Sequence, residues 1–416
     1  MSYGTHGPKR ITLSCALLLA PTMVLTACGD SSHPLAAKPY DAASQVAVSM
    51  GGNSSRAVDP DKPLEVTSKS GNGQITDVLA IDAAGRYVRG ELSEDGSSWR
   101  STSPLAAGQT YTVQISTENR SGKPGRRTVN FDTRKPDAKQ LLKVKFGPDS
   151  GTYGVGQPIT AELSKKIKGK AQRRIVERAL QVRSTPSVKG AWHWVDGKKL
   201  HYRPKEYWPA HATITAKSRL AGVKIRDGLY GGRTKPLKLK TGDRIEAIAD
   251  ASALVMTVKK NGEVVNTMPI TTGMAGYRTR NGTKVVLEKS SYVRMRSASV
   301  GISDFYDLPV YWATRLTWSG EYVHGAPWSA GSHGVANVSH GCTGASSSNA
   351  RWFFNSIRPG DLVTHVNTDG SRMPAFGNGF GDWNMTWDKW RKGSALLEGT
   401  REGSTPADKA RLRPRI

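Results

Sequence analysis

The chain has 416 residues, with 60 Lys and Arg against 34 Asp and Glu, which gives a formal net charge of +26. A hydrophobic content of 37% suffices for folded cores and excludes a globally disordered chain. Three cysteines cannot form a disulfide framework, and beyond position 30 no apolar run reaches the roughly 18 residues of a membrane-spanning helix. The length predicts two to three domains.

Residues 1–27 have the pattern of a bacterial export signal. Lys9 and Arg10 precede a short apolar segment that ends in Leu25-Thr26-Ala27-Cys28, and this tetrapeptide resembles a lipobox. The resemblance implies cleavage before Cys28, lipidation of its sulfur and a location on the outer face of the cytoplasmic membrane, facing the cell wall. The alternative is an ordinary secretory signal with a chance cysteine.

Export changes the interpretation of both the cysteines and the charge. Loss of Cys15 and lipidation of Cys28 leave Cys342 as the one free thiol, which favours a chemical role for it. Without Lys9 and Arg10 the net charge is still about +24, and an exported chain meets anionic lipid and wall polymers rather than nucleic acid. The basic stretch from Lys165 to Arg174 is interpreted as a solvated face or loop.

Residues 28–50 are rich in Ser, Ala, Pro and Gly and are expected to form a flexible tether. Residues 51–136 predict a first all-β module. The segment from Leu105 to Tyr111 resembles the turn before a tyrosine-corner strand in immunoglobulin-like sandwiches. Strands are predicted at Ile75–Ile81, Gly85–Leu92, Thr110–Thr117 and Thr128–Asp132.

Residues 137–242 repeat this plan and predict a second all-β module, in which Tyr207–Ile214 parallels Leu105–Val113. The scattered histidines of this module, His193, His201 and His211, are assigned packing or surface roles. Strands are predicted at Leu141–Phe146, Thr152–Ile159, Trp192–Trp194 and Leu237–Thr241.

Residues 243–372 form the third predicted unit. Asn261-Gly262 between two apolar-rich runs predicts a hairpin with a type I′ turn. A helix is predicted from Ser346 to Ile357, with Ser347 or Ser348 as the N-cap.

The chemistry-bearing stretch lies in this third unit, where His324 is followed by Ser339-His340-Gly341-Cys342. A thiol paired with an imidazole is the minimum apparatus for covalent acyl transfer, and nearby glycines free backbone N–H groups for an oxyanion hole. The helix that follows is expected to lower the pKa of the Cys342 thiol. An inert buried cysteine is the alternative, whereas the two-residue spacing of His340 and Cys342 argues against a metal site.

This stretch resembles the signature of the L,D-transpeptidase family and its YkuD-like catalytic domain, a His followed after about fifteen residues by Ser/Thr-His-Gly-Cys. Here fourteen residues separate His324 from Ser339. The resemblance extends to Gly381-Asp382-Trp383-Asn384, to Trp387 and to Trp390, and so implies a Trp-rich C-terminal subdomain over residues 373–397. The expected fold is mainly β, with two tandem immunoglobulin-like sandwiches, the catalytic domain, this subdomain and a disordered basic tail over 398–416.

The family resemblance assigns roles to the motif. Cys342 would be the nucleophile, and His324 the general base and later the acid, while the catalytic-motif residues His340 and Gly341 would shape the pocket. Tyr306 stands where the family tyrosine contacts bound acyl groups and would help stabilise the oxyanion. The remaining implied positions contact substrate or line the pocket; they are Met295, Ser319, Gly320, Gly325, Trp328, Ser339 and Gly344. The resemblance also implies that the Gly325 carbonyl steadies a histidine ring.

Two departures from the family pattern stand out. Thr343-Gly344 follows Cys342 where an apolar residue and then Asn or Arg are usual, so Gly344 offers no side-chain contact to substrate. Lys224 stands where close relatives carry an acid that can hold calcium, with Asp227 nearby, so calcium is not expected. No cofactor is expected.

The implied reaction joins peptidoglycan stem peptides. Cys342 would attack the carbonyl of the third stem residue, expel the terminal D-Ala and pass the acyl group from a thioester to an acceptor amine, which gives a 3→3 crosslink. Carbapenems would acylate the same thiol, and a monomer is expected. The alternatives are an L,D-carboxypeptidase, in which water takes the acyl group, and a non-catalytic wall-binding lipoprotein.

Overall fold

The computed structural model describes residues 38–49, 57–69, 73–297 and 305–397. The signal peptide over 1–27, the lipidation site at Cys28 and the tail over 398–416 lie outside these residues. Within them, no helix is long and apolar enough to cross a bilayer. The predicted mainly β architecture is confirmed.

The first module pairs strands into two sheets, ordered β1-β8-β7-β4 and β2-β3-β6-β5. The strands are β1 (Tyr40–Asp41), β2 (Val46–Ser49), β3 (Glu65–Ser68), β4 (Gln74–Asp82), β5 (Gly90–Leu92), β6 (Ser98–Ser101), β7 (Thr110–Glu118) and β8 (Pro124–Asp132). The tether predicted over 28–50 is therefore wrong where β1 and β2 lie, because Val46 is buried in the module core.

The tyrosine corner is confirmed. The Ala106 N–H donates to the Tyr111 hydroxyl oxygen at 2.6 Å, and the Tyr111 ring stacks on Phe131 with ring centroids 5.3 Å apart. The strand predicted at Gly85–Leu92 shortens to Gly90–Leu92, because the Asp82 carboxylate accepts hydrogen bonds from backbone N–H groups and makes the preceding residues a turn.

The second module has sheets ordered β10-β12-β15-β14, β11-β19-β16-β13 and β17-β18-β9. Its strands are β9 (Leu141–Leu142), β10 (Val144–Gly147), β11 (Gly151–Tyr153), β12 (Ile159–Leu163), β13 (Leu180–Thr185), β14 (Gly190–Trp194), β15 (Lys199–Pro204), β16 (Thr213–Ser218), β17 (Lys224–Arg226), β18 (Leu229–Gly231) and β19 (Leu237–Thr241). The single strand predicted over Thr152–Ile159 is wrong, because Gly154 and Gly156 leave the sheet to donate to Pro359 and Gly360 carbonyls.

The prediction that the second module is all-β is wrong, because the module contains helix α1 (Lys170–Ala179). The basic stretch from Lys165 to Arg174 is a loop only up to Gly169 and then enters this helix. The helix buries Val176 and Glu177, and the Glu177 carboxylate accepts from the Trp194 indole N–H at 2.9 Å. Lys and Arg are good helix formers, so a basic segment can be helical. The helix was not predicted because its buried apolar residue, Val176, lies beyond the basic stretch.

The third unit, named the catalytic unit because it contains the Cys342 motif, packs two sheets, β22-β21-β20-β28-β23 and β24-β25-β26-β27, around a core with helix α2 (Ser347–Ser356). Its strands are β20 (Ile245–Asp250), β21 (Val255–Lys260), β22 (Glu263–Pro269), β23 (Gly282–Val285), β24 (Glu288–Arg296), β25 (Asp307–Arg315), β26 (Tyr322–Gly325), β27 (Thr343–Ala345) and β28 (Leu362–Val366). The hairpin turn is confirmed, with φ of +52° and +98° at Asn261 and Gly262. The predicted N-cap is wrong by one or two residues, because the Ser346 hydroxyl accepts from the Asn349 N–H.

The second module and the catalytic unit share one apolar core. Val285 of β23 and Leu362 of β28 belong to the same buried cluster as Trp208 of the second module. The Gly154 N–H donates to the Pro359 carbonyl at 2.9 Å. A Cβ at Gly154 would lie 2.1 Å from Asp361 N, so only glycine permits this approach.

The C-terminal segment contains helix α3 (Trp387–Lys392), whose Trp390 hydrogen-bonds to His193 and Ala191 of the second module. The Arg203 guanidinium lies 4.6 Å from the ring centroid of Trp390 and also faces Trp383 and Trp387. His201 Nδ1 is 2.8 Å from Asp382 Oδ1, and Asn384 bonds the Thr283 backbone. The segment therefore bridges the two units.

Candidate active site

Paired strands bring the predicted catalytic residues together. His324 lies on β26 and Cys342 immediately precedes β27, and these strands pair in parallel with His324 opposite Gly344. One cavity of about 520 Å³ lies beside them. It is lined by every predicted site residue of the catalytic unit except Gly325: Met295, Tyr306, Ser319, Gly320, His324, Trp328, Ser339, His340, Gly341, Cys342 and Gly344.

Gly325 acts from behind the cavity. The His324 side chain is buried, and its Nδ1 lies 2.9 Å from the Gly325 carbonyl oxygen, which is the contact predicted from the sequence. Because a carbonyl only accepts, Nδ1 carries the proton and Nε2 keeps its lone pair. Burial lowers the pKa of His324, so the ring is neutral at rest and Nε2 can accept a proton.

The Cys342 thiol is held by backbone groups of the segment that precedes His324. Its Sγ donates to the Gly320 carbonyl at 3.4 Å, and the Tyr322 N–H points at the sulfur. Burial raises the pKa of Cys342 to about 12, and the Tyr322 N–H only partly opposes this shift. The lowered thiol pKa expected from the sequence is therefore wrong. Strand β27 separates the thiol from α2, whose first residue is Ser347.

A tight turn presents the nucleophile. The Ser339 hydroxyl donates to the Cys342 carbonyl at 2.6 Å and accepts from the Gly341 N–H at 3.1 Å. Gly341 has φ of +112°, a conformation that favours glycine, and its carbonyl accepts from the Thr279 hydroxyl at 2.9 Å. These bonds explain why the motif needs Ser and Gly at these positions.

His340 lies between two aromatic rings. The Tyr277 ring centroid is 4.6 Å from that of His340 at an interplanar angle of 63°, and the Tyr306 centroid is 5.3 Å away. Burial raises the pKa of Tyr306, and the neighbouring Cys342 adds to that rise, so the phenol remains a hydrogen-bond donor over the neutral range. Tyr277 was not found from the sequence, since no spacing links it to the motif.

The two residues that depart from the family pattern have structural partners. The Thr343 hydroxyl is 2.7 Å from Nε2 of buried His365. A Cβ at Gly344 would lie 2.9 Å from Thr271 Cγ2 and 3.0 Å from the Ala326 Cβ, so the site has little room for a larger residue here. Gly344 is thus explained by packing.

Sequence reasoning also missed charged residues of the cavity. Exposed Arg278 lines it, and Arg280 pairs with buried Glu321, whose Oε1 is 3.1 Å from the guanidinium. Glu321 adjoins the Ser319-Gly320 pair, and this adjacency was the available signal. Away from the residues that line the cavity, Lys224 Nζ lies 3.1 Å from Asp61 and 2.8 Å from Asp227, so an ammonium group already pairs with both carboxylates.

A neutral thiol in the turn before β27 and a buried, oriented imidazole on the neighbouring strand β26 can carry an acyl group through a thioester. The fold and the site thus define a cysteine-dependent acyl-transfer enzyme with immunoglobulin-like modules before its catalytic domain.

Comparisons with known proteins give the family. The Bacterial Ig domain family matches residues 55–224, and the L,D-transpeptidase catalytic domain family matches residues 244–364. L,D-transpeptidase 2 of Mycobacterium tuberculosis is 34% identical over 80% of this chain and 81% of its own length. L,D-transpeptidase 5 of the same species is 32% identical over 91% of this chain and 83% of its own length. The chain belongs to the L,D-transpeptidase family.

A solved structure is also similar over part of the chain. The crystal structure of L,D-transpeptidase 3 from Mycobacterium tuberculosis, in complex with a faropenem-derived adduct, is 33% identical with a TM-score of 0.46. The match covers 54% of this chain and 98% of that one.

Proposed function

We propose that this L,D-transpeptidase forms 3→3 crosslinks between peptidoglycan stem peptides through a thioester on Cys342. The observation that carries the proposal is the orientation of His324. Its Nδ1–H is committed to the Gly325 carbonyl, so the basic Nε2 is the nitrogen left to take the proton of Cys342 in the shared cavity.

Acylation begins as Cys342 Sγ attacks the carbonyl carbon of the third stem residue while His324 Nε2 takes the thiol proton. The tetrahedral intermediate carries its negative charge on the former carbonyl oxygen, where the Cys342 N–H and the Tyr306 hydroxyl would stabilise it. The C–N bond to the terminal D-Ala then breaks. The leaving nitrogen takes the proton from His324, and D-Ala departs.

Transfer repeats these steps with an amine. The side-chain amine of a second stem attacks the thioester carbon and gives a proton to His324 Nε2. The C–S bond breaks, and His324 returns a proton to the sulfur. The reaction is ping-pong, and each half uses the same base and the same oxyanion donors.

The lining of the cavity supports a peptide substrate. Exposed Arg278 offers a cation to the carboxylates of a stem peptide, while Met295, Leu308 and Trp328 provide apolar contact area. The net charge of about +24 without Lys9 and Arg10 favours binding to an anionic wall. A carbapenem carbonyl would enter the same cavity and acylate Cys342.

We further propose that lipidated Cys28 anchors the enzyme to the outer face of the cytoplasmic membrane. The support is the lipobox-like tetrapeptide ending at Cys28, and a radiolabelled fatty acid or intact mass of the mature chain tests it. Cys28→Ala should release the protein from the membrane fraction. If the unsubstituted chain carries no lipid, the ordinary secretory signal is the correct interpretation.

The central experiment incubates the chain from Gly29 onward with a disaccharide-tetrapeptide and follows products by intact mass, beside Cys342→Ala. Dimer formation that Cys342→Ala abolishes is expected. Tripeptide without dimer would show a carboxypeptidase, and no thiol-dependent product from folded protein would favour the wall-binding alternative. A folded control is His211→Asn, because His211 is exposed and does not line the cavity.

A further inference from the structure

A buried polar network lies directly behind the nucleophile. Lys284 of β23 is fully buried, and Glu321, Thr343 and His365 are buried with it. These residues come from both sheets of the catalytic unit. Fully buried lysines are rare unless paired, so this network requires an explanation.

Glu321 connects the network to one side of the thiol. The backbone groups that touch Cys342 Sγ are the Gly320 carbonyl and the Tyr322 N–H, and Glu321 is the residue between them. Its Oε1 accepts from the Arg280 N–H at 3.0 Å, and its Oε2 lies 3.0 Å from Lys284 Nζ. The carboxylate therefore fixes the peptide that holds the sulfur.

His365 connects the network to the other side. Lys284 Nζ lies 3.2 Å from His365 Nδ1, and His365 Nε2 lies 2.7 Å from the Thr343 hydroxyl oxygen. An ammonium only donates, so Nδ1 accepts and the proton of the neutral ring is on Nε2. Burial keeps the pKa of His365 well below its usual value, which agrees with a neutral ring. Nε2–H then donates to Thr343, the residue directly after Cys342.

We propose that Lys284, Glu321, His365 and Thr343 form a positioning network that fixes the backbone on both sides of Cys342. None of these four residues forms a bond to the substrate or transfers a proton in the reaction, which is left to Cys342 and His324. Lys284 joins the two arms, since its ammonium contacts both Glu321 and His365. The catalytic consequence rests on the proposed function, whereas the effect on the thiol can be measured without any peptide substrate.

A network that only stabilises the fold would change unfolding and leave the folded thiol unchanged. A positioning network would instead change the thiol in a protein that is still folded. Loss of one contact should lower kcat with little change in KM, because the substrate still binds but the sulfur is misplaced. Removal of the Glu321 or Lys284 charge should also change the reactivity of the thiol, in a direction set by the sign of the charge removed.

The first test compares Thr343→Val with Thr343→Ser. Val removes the hydroxyl at nearly constant volume, and Ser keeps it. We expect Thr343→Val to lower kcat about tenfold with KM within about twofold, and Thr343→Ser to recover most of the rate. The matched control is Thr314→Val, because Thr314 is fully buried and its hydroxyl has no hydrogen-bond partner among the described residues.

The second test measures iodoacetamide alkylation of Cys342 against pH by intact mass. The charged or titratable groups that line the cavity or act on the thiol are Glu321, Lys284, Arg278, Arg280, His324, His340, Tyr277, Tyr306 and Tyr322. Glu321→Gln removes a nearby negative charge and should speed alkylation several-fold at pH 8. Lys284→Met leaves the Arg280-bound carboxylate and should slow it. The double variant removes one charge of each sign and should therefore fall near the unsubstituted rate.

Near-UV circular dichroism confirms that each variant is folded. The proposal would be overturned if Glu321→Gln and Lys284→Met were alkylated at the same rate as each other, or if Thr343→Ser turned over as slowly as Thr343→Val. The network would then only stabilise the fold. Absence of dimer from the unsubstituted protein would defeat the proposed function alone, because the alkylation series would still test the network.

Discussion

The Cys342 thiol donates to the carbonyl oxygen of Gly320 across 3.4 Å. The sulfur at rest is therefore a hydrogen-bond donor, and its proton points at the backbone rather than at a base. Because burial raises the thiol pKa and lowers the pKa of His324, the resting pair is neutral. We therefore expect proton transfer to His324 to accompany attack, when a substrate carbonyl is in place.

Alkylation of the free enzyme should reveal this neutral thiol. A pKa of about 12 leaves roughly a thousandth of the thiolate that an ordinary cysteine has at pH 8. We expect iodoacetamide to modify Cys342 at least about 100-fold more slowly in the folded protein than in urea, with a rate that still rises above pH 9. A rate that levels off below pH 8 would instead show a stable thiolate.

Replacement of His324 should remove proton transfer but not the nucleophile. We expect His324→Gln to lower kcat/KM for dimer formation by about 10²–10⁴, the range for one general acid–base group. Alkylation of Cys342 in the same variant should persist, since the thiol keeps its backbone contacts. His211→Asn is the control, and Asn tolerates the φ of +58° at this position. Unchanged turnover in His324→Gln would assign the base to another residue.

Gly344→Ala tests whether this glycine is required by packing. The added Cβ would meet Thr271 Cγ2 at 2.9 Å, and we expect a loss of about 1–3 kcal/mol in the free energy of unfolding. The rate should fall as well, because β27 directly follows Cys342. Gly331→Ala is the matched control, since nothing lies within 4 Å of its added Cβ. Equal denaturant midpoints for the two variants would contradict the packing explanation.

The sequence located the cavity well because its chemistry is concentrated in a short motif. His324 lies on β26, Cys342 immediately precedes the paired strand β27, and the turn bonds of Ser339 and Gly341 are local. Tyr277, Glu321 and Lys284 could not be found in this way. They reach the site through the packing of two sheets, and no spacing in the sequence shows that a lysine will be buried against a glutamate.

The fold was predictable where local signals are strong, as in the Asn261-Gly262 turn and the tyrosine corner at Tyr111. Helix α1 was missed because its basic residues resemble a solvated loop. Strands β1 and β2 were missed because a segment of small and polar residues hides the few apolar side chains that pack. In these cases tertiary contacts decide the outcome.

Asp361 should make stability depend on pH. Burial raises its pKa to about 7 in the folded protein, whereas an unfolded Asp titrates near 4. Between these values the folded state binds the extra proton, so this group favours folding at low pH and the benefit is lost as pH rises through 7. We expect Asp361→Asn to gain stability relative to the unsubstituted chain as pH rises. The free energy of unfolding of the variant minus that of the unsubstituted chain should be about 1–3 kcal/mol larger at pH 8 than at pH 4.

The measurement is urea unfolding of Asp361→Asn and the unsubstituted chain at pH 4 and pH 8, read as the difference between the two proteins. This difference removes the opposing contributions of buried His324 and His365, which both proteins share. Asp388→Asn is the control, because Asp388 is exposed. A pH-independent difference for Asp361→Asn would show that the carboxylate stays ionised.

The core shared by Trp208, Val285 and Leu362 has a consequence for how the enzyme reaches its polymer. A joint filled with apolar side chains cannot swivel without exposing them to water. The second module and the catalytic unit would therefore move together as one rigid body. Crosslinks would therefore form at a fixed distance and angle from the second module. Access to peptidoglycan farther away would depend on movement of the chain that precedes this module.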